Sequence, residues 1–344
     1  MVKIAVNGLG RIGKLALRNL IDEGTPGEIV LLNDPVGTSD QHALWLEFDS
    51  IHGRWIRPIS ASPGKLAING QNMKFTSARR IEDLPLADLG IDIVLDCTGV
   101  FKSTAKLAPY FDAGVQKAIV SAPVKDPEAL NLVYGINHHL YDPGRHRIVT
   151  AASCTTNCLA PVVQVIRQKL GIRHGSFTTI HDVTNTQTIA DRPAQDSRRA
   201  RSSLVNLIPT TTGSASAIAL IYPELKGRLS GHAVRVPLLN ASLTDCTFEV
   251  ERQTTAEQVN ALFKNAADGD LKGILGFEDR PLVSADFLND PRSAIIDGQS
   301  TLVINGTQVK VYAWYDNEWG YACRLADILR MVAKDIIGAS GHSK

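Results

Sequence analysis

Ile4-Ala5-Val6-Asn7-Gly8-Leu9-Gly10-Arg11-Ile12-Gly13 sets three glycines in a Gly-x-Gly-x-x-Gly spacing between a β-rich run and a helical pattern. Residues 3–6 form the β-rich run, 11–22 have helical spacing, and 29–32 read as a second, buried-type strand, which makes a βαβ opening. In that setting the glycines allow a tight turn and close backbone approach, and the helix N-terminus presents amides to a pyrophosphate. Asp34 follows the second strand, 21 residues after Gly13, where a carboxylate accepts hydrogen bonds from an adenosine ribose. Gly8, Gly10, Arg11, Ile12, Gly13 and Asp34 are therefore candidate dinucleotide-binding residues. A carboxylate there repels a 2′-phosphate and satisfies a 2′-hydroxyl, so NAD is expected over NADP. The competing reading is a glycine turn without a ligand.

Working outward, strands are expected at 93–95, 117–120 and 147–150, separated by helix-like or loop segments, as in an open parallel sheet. Residues 154–170 read as a helix, after which strand patterns dominate at 176–180, 232–236, 242–250, 301–303 and 309–314. The expected fold is α/β: a doubly wound parallel sheet of the Rossmann type in a nucleotide-binding domain over 1–152, then an α+β catalytic domain with a mixed, largely antiparallel sheet over 153–318. Residues 320–337 have helical periodicity and no domain of their own to complete, so 319–344 is expected to pack back on the first domain, with a frayed tail at 338–344.

The chain has 344 residues, 44% hydrophobic and 21% charged, enough for two domains with substantial cores. A formal net charge of +1 offers no broad basic field for nucleic acid, so small-molecule partners are expected. Met1-Val2-Lys3 runs straight into the first strand and no run of about eighteen apolar residues occurs, which argues against membrane insertion and for a cytoplasmic address. Cys97, Cys154, Cys158, Cys246 and Cys323 are an odd, scattered set, unlike a disulfide framework or a zinc site. No metal is expected, and one reactive thiol is.

Ser153-Cys154-Thr155-Thr156-Asn157-Cys158 places a thiol among hydroxyls where a helical pattern begins. An ordinary thiol is mostly protonated near neutrality, so a nucleophilic Cys154 needs its thiolate stabilised. Helix N-terminal amides and the dipole supply part of this, and a neighbouring imidazole supplies more. His181 is the candidate partner, since it ends the strand-like Phe177-Thr178-Thr179-Ile180 and begins a polar loop. Spacing alone does not establish the contact, and the alternative is an inert thiol and a structural histidine. Cys158, one turn later, is expected to pack in the core.

Over nearly its whole length the chain resembles phosphorylating glyceraldehyde-3-phosphate dehydrogenases. The resemblance is carried by Val6-Asn7-Gly8, Asp49-Ser50-Ile51-His52-Gly53-Arg54, Ala152-Ser153-Cys154-Thr155-Thr156-Asn157-Cys158-Leu159-Ala160-Pro161 and Arg198-Arg199-Ala200-Arg201, then by 208–213, Pro223-Glu224-Leu225-Lys226-Gly227 and Trp314-Tyr315-Asp316-Asn317-Glu318. It implies an enzyme that oxidises glyceraldehyde 3-phosphate with NAD through a covalent thioester. Cys154 would attack the aldehyde carbon, His181 would activate the thiol and take the hydroxyl proton, and hydride would pass to nicotinamide. Inorganic phosphate would then release a 1,3-bisphosphoglycerate-type acyl phosphate. By the same resemblance Thr184 and Arg235 hold the substrate phosphate, Ser153, Thr155, Thr212 and Gly213 the attacking phosphate, and Arg199 lies between them. Arg80 and Thr98 would contact the cofactor, and Asn317 the nicotinamide carboxamide. Read without the family, Thr212 caps a helix, Arg235 is a surface charge and Asn317 a turn residue. A homotetramer is implied as well, with the polar and basic loop 182–206 crossing an interface or lying in solvent.

Several positions depart from the family pattern. Leu238-Leu239-Asn240-Ala241 stands for the usual Thr-Pro-Asn-Val, His232 for a methionine, Ala151 for an asparagine and Val183 for a tyrosine. Arg192 replaces a small or apolar residue in a loop that reaches a neighbouring subunit's cofactor region in the family, which leaves NADP possible. Phe48 and Trp55, with the 231–245 segment, look similar to a bacterial branch associated with arsenic resistance, in which arsenate replaces phosphate and 1-arseno-3-phosphoglycerate is exported by a partner permease. The alternatives are erythrose-4-phosphate dehydrogenase, whose thioester is released to water, and a non-catalytic dinucleotide-binding sensor.

Overall fold

Strands buried on both faces organise the first of two units, which comprises Met1–Tyr134, His138–Ala152 and the final helix from Ala322 on; the computed structural model describes residues 1–341. Its nine-stranded sheet runs in the order β3 (Ile59–Ser62), β4 (Lys65–Ile68), β5 (Gln71–Thr76), β2 (Glu28–Asn33), β1 (Lys3–Asn7), β6 (Ile93–Asp96), β7 (Lys117–Val120), β9 (Ile148–Thr150) and β8 (Ala129–Asn131). From β5 to β8 every neighbour is parallel, and only the β3-β4-β5 meander is antiparallel. β6 and β7 are buried at every position, as strands covered on both faces must be. Helices α1 (Arg11–Asp22), α2 (Ser39–Glu47), α3 (Leu86–Leu89) and α4 (Thr104–Asp112) connect the strands. The doubly wound parallel sheet expected from the sequence is present. Because the chain leaves β1 for β2 on one side and later adds β6 on the other, the C-terminal ends of β1 and β6 flank the topological switch point.

A buried polar chain ties those ends together. Asn33 Nδ2 donates to Asn7 Oδ1 (2.8 Å), Asn7 Nδ2 donates to the Tyr110 hydroxyl (2.6 Å), and that hydroxyl donates to Asp96 Oδ2 (2.7 Å). Burial raises the Asp96 carboxyl above its ordinary value against the hydrogen bonds from Thr98 and Tyr110.

The second unit, Gly135–Asn137 with Ser153–Tyr321, has a seven-stranded sheet in the order β11 (Ile208–Thr211), β12 (Leu229–Arg235), β10 (Ile172–His181), β13 (Ser242–Val250), β16 (Gln308–Tyr315), β15 (Ala294–Ile304) and β14 (Leu275–Glu278). Only β10 with β12 and β14 with β15 pair parallel, so the sheet is mixed and mostly antiparallel. Alternate residues of β13 are buried, the period of a strand with one face on a core. Helix α5 (Cys154–Leu170) packs on β13, β15 and β16. Helices α6 (Ser214–Ile221) and α7 (Ala256–Asp268) complete the unit.

Several elements exceed the sequence expectation. The β3-β4-β5 meander, α2, β11, α7, β8 and β14 lie outside the expected set, while α6 begins beside Thr212, a helix cap in the reading without the family. Local signals for some of them were present: Asn69-Gly70, between β4 and β5, has both residues at positive φ, the requirement of a type I′ hairpin. Thr38 with Gln41, and Thr255 with Gln258, form capping boxes at α2 and α7. β15 begins at Ala294 instead of 301, because Asp297-Gly298-Gln299-Ser300 interrupts the β pattern where the register shifts between Asp297 and Leu302. The last helix, α8 (Trp319–Gly341), runs past 337, and residues 342–344 of the tail expected to fray lie outside the described residues. Within the first unit, α8 is fixed to α1 by Arg330, whose Nη2 donates to Asn19 O (3.0 Å) and Oδ1 (2.9 Å).

Removing the Tyr110 hydroxyl takes the partner from Asn7 Nδ2 and from Asp96 Oδ2 in a buried setting. Tyr110→Phe is expected to cost about 1–3 kcal/mol in urea unfolding of the first unit. A loss below about 0.5 kcal/mol would show that the network carries no stability.

Candidate active site

Gly8 follows β1 at φ +95°, and a Cβ there would lie 2.7 Å from the backbone of Cys97 and Thr98 after β6. At Gly13 a Cβ would sit 1.9 Å from the Gly8 carbonyl oxygen, so the first turn of α1 packs against the loop only if this residue is glycine. Gly10, the N-cap of α1, has nothing within 4 Å of its missing Cβ and leaves the helix N-terminus open. These three environments fit a pyrophosphate cradle. Gly8, Gly10, Asp34, Arg80 and Thr98 line a single cleft at the switch point. Asp34 shapes it directly: Oδ2 accepts from Leu9 N (2.8 Å) and Oδ1 from Val36 N (2.9 Å). Thr98 is oriented by Asp96, whose Oδ1 accepts from its amide (3.0 Å) and hydroxyl (2.7 Å). The remaining expected residues stand apart from the cleft. Arg11 forms a two-pronged pair with Asp49, and Ile12 is half-buried. Although burial opposes it, that pair and the amides of Ile51 and His52 hold Asp49 well below the usual carboxylate range. Asp49 is the partner that the sequence reading missed.

In the second unit, Ser153 caps α5 by accepting from Thr156 N (3.2 Å), which sets Cys154 on the first turn. The residue before this cap, Ala152, has φ +51°, a left-handed conformation at a non-glycine. Cys154 is half-buried, and its Sγ lies 3.5 Å from Nε2 of buried His181 at the end of β10. The other ring nitrogen, Nδ1, is 2.5 Å from Asp182 Oδ1 and 2.9 Å from Asp182 O. A carboxylate and a carbonyl oxygen at these distances are both satisfied by a proton on Nδ1, and we assign that tautomer. Arg235 Nη1, 2.7 Å from that nitrogen, therefore directs its own hydrogen to Asp182 O at 2.9 Å. Burial works against an imidazolium, but the bonds to Asp182 and Cys154 prevail and raise His181 to about 9. Burial likewise opposes the Cys154 thiolate, and the His181 bond and charge outweigh it, so the thiol is lowered from its ordinary value. By contrast burial pushes Cys158 up to about 12, with its Sγ beside the Thr244 hydroxyl, as a packing thiol requires.

A chain of hydroxyls runs from the cap of α5. Ser153 Oγ contacts Thr156 Oγ1 (2.7 Å), Thr156 donates to Ser214 Oγ (3.4 Å), and Thr212 Oγ1 donates to the same Ser214 (3.2 Å). Ser153 and Thr212 are thus joined through Thr156 and Ser214, two residues absent from the expected set, and Gly213 is the N-cap of α6 beside them. Thr155 instead faces the interior, its hydroxyl 3.1 Å from Tyr315 Oη. Thr184 and Arg199 meet through Thr186, at 3.0 Å and 3.3 Å. Asn317 Nδ2 donates to Asp182 Oδ2 (2.8 Å), and its Oδ1 accepts from Ser242 Oγ (2.9 Å). Among the described residues no cluster of metal-ligating side chains occurs.

A dinucleotide-type cleft and a thiol lowered by an imidazole are the equipment of a nucleotide-dependent oxidoreductase that works through sulfur. Comparison with known proteins makes the class specific. Residues 2–104 match the family model for the glyceraldehyde 3-phosphate dehydrogenase NAD binding domain, and 153–317 match the model for the C-terminal domain. The chain is 57% identical over 333 residues to glyceraldehyde-3-phosphate dehydrogenase 3 of Nostoc sp., a match covering 96% of this chain and 98% of that one. It is 44% identical to the glyceraldehyde-3-phosphate dehydrogenases of Zymomonas mobilis (97% and 99% covered) and Geobacillus stearothermophilus (96% and 98% covered). The chain belongs to the glyceraldehyde-3-phosphate dehydrogenase family.

With the thiol lowered, its thiolate is populated from a lower pH upward, whereas an ordinary thiol is only about 3% ionised at pH 7. Iodoacetamide is therefore expected to alkylate Cys154 at pH 7 faster than it alkylates an ordinary thiol. His181→Ala should slow that reaction about tenfold or more and move its midpoint above pH 8. Equal rates in both proteins at pH 7 would show that the imidazole does not activate the thiol.

Proposed function

We propose that the protein oxidises glyceraldehyde 3-phosphate with NAD and an inorganic oxyanion, through a thioester on Cys154. The observation that carries this reading is the 3.5 Å approach of Cys154 Sγ to His181 Nε2 at the N-terminus of α5. The thiolate forms the S–C bond to the aldehyde carbon while His181 gives its Nε2 proton to the carbonyl oxygen, leaving a thiohemiacetal. NAD, when bound, supplies the hydride acceptor. His181 takes the hydroxyl proton back as that carbon is oxidised to a thioester. An oxyanion oxygen then bonds to the acyl carbon, the S–C bond breaks, and Cys154 leaves as the thiolate that its environment already favours.

Arg235 and Thr184 suit the substrate's phosphate, and the Ser153 and Thr212 hydroxyls with the Gly213 amide suit the attacking anion, with Arg199 between the two. In the nucleotide cleft, Gly8, Gly10 and Gly13 cradle the pyrophosphate, Asp34 favours NAD, and Arg80 and Thr98 contact the cofactor. By the family resemblance, Asn317 holds the carboxamide. Arsenate shares the shape and charge of phosphate, so the same hydroxyls accept it, and the sequence around Phe48, Trp55 and 231–245 supports a role in arsenate resistance. The loop between β10 and β11 exposes Ile189, Leu204, Val205 and Leu207, which favours its burial in a homotetramer. Among the described residues no helix is long and apolar enough to cross a membrane, and the cytoplasmic location we assign follows the family resemblance.

NADH formation from glyceraldehyde 3-phosphate and NAD is expected only with phosphate or arsenate present, and Cys154→Ala should reduce it to background. Turnover with neither anion would replace this reading by a hydrolytic dehydrogenase of the erythrose-4-phosphate type. A preference for arsenate would favour the resistance role.

A further inference from the structure

We infer that Asp182 is the positioning residue of the thiol–imidazole pair: its buried carboxylate fixes the tautomer and orientation of His181 and, through its second oxygen, ties that imidazole to the amide of Asn317. The inference rests on the reading of Cys154 and His181 given above and deepens it.

Asp182 is only 1% exposed, and each of its polar atoms is committed. Oδ1 is 2.5 Å from His181 Nδ1 and 3.3 Å from Ser242 Oγ, Oδ2 accepts from Asn317 Nδ2 at 2.8 Å, and the amide donates to Ser242 Oγ at 3.2 Å. The carbonyl takes the Arg235 guanidinium at 2.9 Å. A carboxylate so enclosed has one rotamer, and His181 inherits its orientation. With Nδ1–H held by an acceptor, Nε2 is the nitrogen left to exchange a proton with Cys154, the geometry a base needs when a third group orients it. Ser242 has a single hydroxyl hydrogen, and the shorter contact gives it to Asn317 Oδ1 at 2.9 Å. The amide and the imidazole are therefore set by the same carboxylate.

A purely structural alternative exists, in which Asp182 only satisfies Ser242 and Asn317. The two differ in what happens to protons. The groups facing His181 are Cys154 from α5, Arg235 from β12, the Tyr315 phenol from β16, whose ring lies edge-on at 6.0 Å, and Arg199 beyond Arg235. Of these, Arg235 disfavours the imidazolium, Tyr315 is kept neutral by burial, and only Asp182 and the Cys154 thiolate favour it.

The test is the imidazole titration of His181 by NMR in the full chain, assigned by its loss in His181→Ala, together with the single-turnover rate of acyl-enzyme formation and the melting temperature. In Asp182→Asn the His181 titration is expected to fall from about 9 toward the ordinary histidine range, and acyl-enzyme formation to slow tenfold or more, with little change in melting temperature. A lowered melting temperature with an unmoved titration would overturn the inference and leave Asp182 a structural residue. Should that variant not fold, the wild-type titration decides: a His181 that titrates near 6.5 beside an intact Asp182 overturns it equally. Both titrations need no substrate, so they stand apart from the dehydrogenase assignment, which is tested by acyl-enzyme formation in the wild-type chain and by its dependence on an oxyanion.

Discussion

A thiolate and an imidazolium held 3.5 Å apart inside a protein depend on what surrounds them, because burial alone favours the neutral thiol and the neutral ring. Here the balance is tipped by directed contacts. The sulfur, on the first turn of α5, meets the ring of His181, the Asp182 carboxylate meets the far side of that ring, and the Arg235 guanidinium closes the sequence of alternating charges by binding the Asp182 carbonyl. Each group is placed by a different element: α5, the end of β10 and the end of β12. The parallel pairing of β10 with β12, which sets His181 opposite Arg235, is what brings the last two together.

The nucleotide cleft obeys a different constraint, one of space. Its walls are backbone, and the close approach of the Gly8 loop to Cys97 and Thr98 leaves no room for a Cβ at Gly8 or Gly13. Beneath it, Asn7, Asn33, Tyr110 and Asp96 hold the strand ends by neutral and charged hydrogen bonds in a dry interior, where each unmade bond is costly. Space is thus reserved by glycine above and fixed by a polar chain below.

What was legible in the sequence follows from these two constraints. The glycine spacing and the strand after it report backbone requirements, which are local, and Arg11–Asp22 and Cys154–Leu170 emerge with the bounds their periodicity indicates. The short strands β3 to β5 and β14 carry too few residues for a period to declare itself, and β15 hides its first half behind the glycine-containing irregularity after Asp297. At the site, Cys154 and His181 were readable because their chemistry is distinctive. Ser242 and Thr156 were not, since a serine on a strand and a threonine in a first helical turn are ordinary until the fold sets them against Asn317 and Ser214. Thr155 shows the converse: its hydroxyl, expected among the phosphate ligands, is turned to Tyr315 and serves the interior in this structure.

Two of the stretches expected to depart from the family's usual pattern, Val183 and residues 238–241, lie together in the fold. Val183 directly follows Asp182, and its amide donates to the carbonyl of Leu238, the first residue of the divergent Leu238-Leu239-Asn240-Ala241 segment (3.0 Å). That segment leads into Ser242, which receives the Asp182 amide and holds Asn317. Behind the nucleophile, its imidazole and the guanidinium of Arg235 stands a shell built around the buried Asp182 carboxylate. Such a carboxylate is tolerated only where every bond is met, so changes at 183 and 238–241 have to be mutually compatible with it. Substitutions in that segment should therefore act together, through the orientation of Asp182.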